Sequence, residues 1–149
     1  MAETILVRPE LTQGMVDGGR MLLANLDQHG IPIEAAFWLL DEEVPIWHLM
    51  LASRLVRTVG SLAMYRRISK LLTKLRLDDP IWIDMVSIVD PRARIVQALA
   101  AALGTTDSAG GIRLDNTTFG GVHISSCLVY RLAVKPIARS RTVRAVAAE

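Results

Sequence analysis

Residues 33–40 (IEAAFWLL) are apolar on both sides of the extended chain they predict, with Ala35, Phe37 and Leu39 alternating with Ala36, Trp38 and Leu40. Successive side chains of a strand point to opposite faces of its sheet, so this strand has to be buried on both. A sheet with one wet face is excluded. Either helices cover both sides or a second subunit covers one, and a homodimer built through the apolar second face is the expectation. The mean hydropathy of +0.33 agrees with a large buried surface. No run approaches the ~18 apolar residues that a membrane helix needs, so no membrane partner is expected.

The punctuation around this strand is regular. Asp41-Glu42-Glu43 reads as an acidic turn and 47–53 as the returning strand of a hairpin, with Pro45 just ahead of it. Upstream, Arg8-Pro9 opens a helical pattern that Gly30 and Pro32 close. Leu11, Met15, Leu22 and Leu26 share one face of it. Gly18-Gly19 weakens this helix by roughly 1 kcal/mol per glycine, which close packing of its backbone on a sheet would explain.

Downstream, Ser61 reads as the N-cap of a helix running to about residue 75. Residues 81–89 (IWIDMVSIV) form a third strand, and Asp90-Pro91 starts a helix that closes at Gly104. Residues 105–111 read as a flexible loop. Residues 112–132 read as β-rich, with the longest strand at 122–132 and a turn at Asp115-Asn116 or Gly120-Gly121. The order is α-β-β-α-β-α-β-β. The fold class is therefore α+β: one mostly antiparallel sheet of about five strands packed with three helices, most simply on one face. A single domain spans 1–134, and a basic, alanine-rich tail follows at 135–149.

The net charge of +2 conceals a patchy distribution. The first fifty residues are acidic, whereas 51–76 hold Arg54, Arg57, Arg66, Arg67, Lys70, Lys74 and Arg76 with no acid. On the 61–75 helix, Leu62, Met64, Tyr65, Ile68, Leu71, Leu72 and Leu75 gather on one side. Arg66, Arg67, Lys70 and Lys74 gather on the other, and Arg54 and Arg57 extend the patch from upstream. A face of one sign attracts anions and suits a phosphate backbone or an acidic protein surface. The plainer account is a solvated face, since lysine and arginine are strong helix formers.

Other chemistry finds less support. His123, Ser125 and Cys127 fall on one side of the last strand, so an enzyme built on His123 and Cys127 is conceivable, though no nucleophile motif surrounds them. The single cysteine excludes an internal disulfide and fits a reducing compartment, so a cytoplasmic location is expected. His29, His48 and His123 are scattered and lack metal-ligand spacing. Glu34 and Asp84 lie on predicted strands without a nearby lysine, against a metal-dependent nuclease. No phosphate-binding glycine loop occurs. Trp38, Trp47 and Trp82 are expected in strands as core or interface residues. No cofactor, metal or catalytic residue is assigned.

The strings GRMLLANLDQHGIPIEAAFWLL, LASRLV with AMYRRI, and VYRL resemble small uncharacterised bacterial proteins of similar length. The resemblance implies a bacterial origin and carries over no functional residue. The reading is thus a non-enzymatic binding protein acting as a homodimer, with nucleic-acid or other polyanion binding through the basic helix as the alternative.

Overall fold

In the computed structural model, which describes residues 9–134 apart from the side chain of residue 109, the doubly apolar segment is the centre of the sheet. Helix α1 (Gln13–Gln28) precedes strands β1 (Ala35–Leu40) and β2 (Trp47–Ala52). A four-residue helix α2 (Val56–Val59) and helix α3 (Ser61–Lys74) follow. A 3-10 turn (Ile83–Met85) then leads into β3 (Val86–Val89), helix α4 (Arg94–Leu103) and the long hairpin β4 (Thr106–Phe119) and β5 (Val122–Leu132). The strand order is β3-β2-β1-β5-β4. Only β2 and β3 run parallel, so the five-stranded sheet is mixed and mostly antiparallel. The expected tail at 135–149 lies outside the described residues. No described helix is long and apolar enough to cross a membrane.

Both faces of the sheet are covered from within the chain. On one side Ala36, Trp38, Leu40, Leu49, Leu51, Leu128 and Tyr130 pack with Leu22 and Leu26 of α1 and Met64, Ile68 and Leu72 of α3. On the other, Ala35, Phe37, Ala52, Cys127 and Val129 pack with Val96, Leu99 and Ala100 of α4. The helices are therefore divided between the two faces rather than gathered on one. The apolar second face that motivated a dimer is the seat of α4.

The Gly18-Gly19 pair is buried, with Gly19 against Trp38 and Tyr130 of the sheet and Gly18 against Leu77 and Ile81 in the connection that follows α3. A Cβ on Gly19 would stand 2.6 Å from Tyr130 Oη, and one on Gly18 would stand 3.0 Å from Ile81 Cδ1. Close approach to the Tyr130 hydroxyl is the reason for Gly19, whereas at Gly18 the tip of the Ile81 side chain would have to give by a few tenths of an ångström.

Several boundaries differ from the sequence expectation. Helix α1 starts at Gln13, with Thr12 as N-cap accepting from the Met15 N–H at 3.1 Å. Helix α3 is preceded by Gly60 at φ +86, a conformation open to glycine, and Ser61 is already helical. Helix α4 begins three residues after Pro91, because Asp90 first closes a turn through its carbonyl to the Ala93 N–H and its carboxylate to the Arg92 N–H. The expected loop at 105–111 mostly belongs to β4, and the hairpin turns at Gly120-Gly121.

Candidate functional site

Two helix ends converge to make a groove. Helix α1 stops in a Schellman arrangement: Gly30, at φ +70, donates to the Asp27 carbonyl and Ile31 donates to the Leu26 carbonyl, both at 3.0 Å. The turn sends Ile31 into the core and leaves His29 exposed at the rim. Its Nδ1 lies 2.7 Å from the Asn25 carbonyl oxygen, which can only accept, so Nδ1 carries a proton. Helix α3 ends in the same way, with Arg76 at φ +58 and Leu77 donating to the Leu72 carbonyl at 2.7 Å.

Between these ends lies a groove of about 450 Å³ lined by His29, Ile31, Arg67, Lys70, Leu71 and Lys74. Arg67, Lys70 and Lys74 form one stripe at i, i+3 and i+7, so they flank the groove along the helix. Among the described residues none of the three has a carboxylate within ion-pair distance. Lys74 sits in the last turn, where a cation offsets the negative end of the helix dipole. Arg67 and Lys70 lie well inside the helix and have no such local reason. Ile31 and Leu71 supply an apolar floor between the cations. A groove of this kind concentrates anions and can desolvate an apolar group beside the charge.

The basic patch expected from the sequence is divided. Arg67, Lys70 and Lys74 line the groove, whereas Arg66 is exposed on α3 outside it. Arg54 is paired with Glu34, which also accepts from the Arg54 N–H at 2.9 Å. Arg57 is paired with Asp90 at 2.9 Å. Burial works to raise the Asp90 pKa, but the Arg92 N–H and the Arg92 and Arg57 guanidinium groups outweigh it and lower the value. Arg54 and Arg57 border a different cleft, of about 330 Å³, in which Glu34 offsets their charge. Leu62, placed on the apolar side of the helix by periodicity, is 63% exposed.

The remaining candidates separate. Cys127 is fully buried, and that burial pushes its thiol up to about 12. His123 is exposed and turns to other partners, with Nδ1 2.9 Å from Thr118 Oγ1 and Nε2 3.1 Å from Glu42 Oε2. Asp84 falls in the 3-10 turn rather than a strand, and Glu34 is occupied by Arg54. Among the described residues, no group of three or more His, Cys, Asp or Glu side chains could hold a metal ion. Trp38 and Trp47 are buried in strands, and Trp47 donates Nε1–H to the Pro9 carbonyl at 2.9 Å. Trp82 is 61% exposed just ahead of the 3-10 turn and belongs to no strand.

Sequence reasoning missed His29 and Ile31 as partners of the basic stripe. The available signal was the His29-Gly30 helix end, whose left-handed glycine turns the chain back toward the helix it has just left. No family model, curated protein or solved structure matches the chain.

Proposed function

We propose that this is a non-enzymatic binding protein and that the groove between the end of α1 and the outer face of α3 is its recognition surface for an anionic partner. The observation that carries this reading is the stripe Arg67, Lys70 and Lys74, which lacks carboxylate partners among the described residues yet borders one apolar-floored groove. A merely solvated helix face does not need three like charges around a shared concavity. The buried, proton-retaining Cys127 gives no support to thiol catalysis.

A phosphate backbone is the second reading, because the stripe extends about 10 Å along the helix axis and could follow successive phosphates. Titrating a labelled random oligonucleotide at several salt concentrations tests the surface. Three engaged cations give a slope of log affinity against log salt of about −2 to −3, and Arg67→Glu with Lys70→Glu should abolish binding with little change in the unfolding midpoint. Retention of binding by that double variant, or no binding by the wild type at low salt, overturns the phosphate-backbone reading.

A further inference from the structure

The loop that joins β1 to β2 has the opposite chemistry to the groove. Its carboxylates Asp41, Glu42 and Glu43 are followed by Val44, Pro45 and Ile46, and Val44 and Ile46 are 54% and 44% exposed. Large apolar side chains held in water on one short loop mark a contact surface better than isolated ones do. The loop is also shaped in advance. Asp41 N–H donates to the Ile46 carbonyl at 3.0 Å, and Asp41 Oδ1 accepts from the Glu43 and Val44 N–H groups at 2.9 and 3.3 Å. Glu42 is held by His123 at 3.1 Å, whereas Glu43 has no cation within ion-pair distance among the described residues. A loop fixed in this way loses little conformational freedom on docking.

We infer that the groove bordered by Arg67, Lys70 and Lys74 receives the acidic, apolar-tipped 41–46 loop of a second copy of this chain, giving a reciprocal homodimer. The inference rests on the reading of the groove as a recognition surface and names its partner. Charge and polarity agree on both sides: Glu43 meets the lysines, and Val44 and Ile46 meet the Ile31 and Leu71 floor. The loop cannot fill its own groove. Ile31 precedes the first residue of β1 and Asp41 follows the last, so a strand of six residues, about 20 Å long, separates them. A twofold axis lets each copy insert its loop into the other, which closes the assembly at two chains.

Sedimentation equilibrium of the full chain tests this over a concentration series at low and high salt. The wild type is expected to reach twice its 16.4 kDa mass and to dissociate as salt rises. Lys70→Glu and Glu43→Lys should each weaken self-association at least tenfold, and an equimolar mixture of the two should associate again because each altered surface meets its complement. A wild-type monomer at every concentration overturns the inference whatever the variants do. So does a dimer indifferent to salt and to both substitutions, or a mixture that stays dissociated. Oligonucleotide binding by a chain that remains monomeric would leave the groove as an anion site and remove only the second copy as its occupant.

Discussion

A Cβ added to Gly19 would stand 2.6 Å from the hydroxyl oxygen of Tyr130. That oxygen cannot move aside freely, because it accepts from Trp38 Nε1 at 2.9 Å and donates to the Val16 carbonyl at 2.6 Å. The contact ties α1 to β1 and β5 at the middle of the larger core.

Gly19→Ala therefore sets two effects against each other. Helix propensity favours alanine by about 1 kcal/mol, whereas displacing the phenol leaves a buried indole N–H unpaired at a cost of about 1–3 kcal/mol, in addition to the overlap. The overlap and lost bonds should win, and the variant should unfold at lower urea, destabilised by about 2 kcal/mol. Gly14→Ala is the control in the same helix. Its Cβ would meet Pro80 Cγ at 3.5 Å, an ordinary contact, so it should gain about 0.5–1 kcal/mol. Equal stabilisation by both would mean that Tyr130 is not held in place.

How much of this was legible depended on whether the relevant partners were neighbours in sequence. Strand β1 declared itself because Ala35–Leu40 is apolar on both faces, and β5 because Gly120-Gly121 marks its start and Leu132 its end. Strand β4 was hidden. Its first half, TDSAGG, has no apolar alternation and pairs only because β5 supplies a partner across a register shift between Asp107 and Ile112. Gly111, at φ +86, lets Leu128 lie where a side chain would otherwise stand. The start of α4 was misplaced since Asp90 turns to Arg92 and Arg57 instead of capping the helix. The groove was half legible: helical periodicity aligned Arg67, Lys70 and Lys74, but only the tertiary fold brings His29 and Ile31 beside them.

Arg131 should be the dominant ionic clamp between α1 and the hairpin. Its guanidinium grips both oxygens of Asp27 at 2.7 and 2.9 Å and reaches Asp107 at 3.2 Å. The hydrogen bonds to Asp27 raise the Arg131 pKa, so the group is a permanent cation. Arg131→Met keeps the aliphatic stem but removes the fork, and it should cost about 1–2 kcal/mol after allowance for solvent screening. Asp27→Asn should cost less and Asp107→Asn least, because the Asp107 side chain is 70% exposed. Urea unfolding of the three variants ranks them, and a larger loss for Asp107→Asn than for Asp27→Asn would refute the geometry.

Alkaline pH should destabilise the fold through Cys127 and then Tyr130. Burial raises the thiol from 9.0 to about 12 and the phenol from 10.0 to about 12. Above pH 9 the unfolded chain releases the thiol proton while the native chain keeps it. The unfolded state then binds fewer protons, and stability falls as pH rises. Each group contributes a slope of up to about 1.4 kcal/mol per pH unit, so the loss from these two groups should begin near pH 9 and steepen past 10. Their contribution is fully present at neutral pH, below both unfolded values. Cys127→Ala lowers stability at every pH by opening a small cavity, but it should remove the part of the slope between pH 9 and 10 that the thiol supplies. Following the native thiolate by its ultraviolet absorbance gives an independent check. A native thiol that ionises near pH 9 would show that Cys127 is not sealed between the sheet and α4.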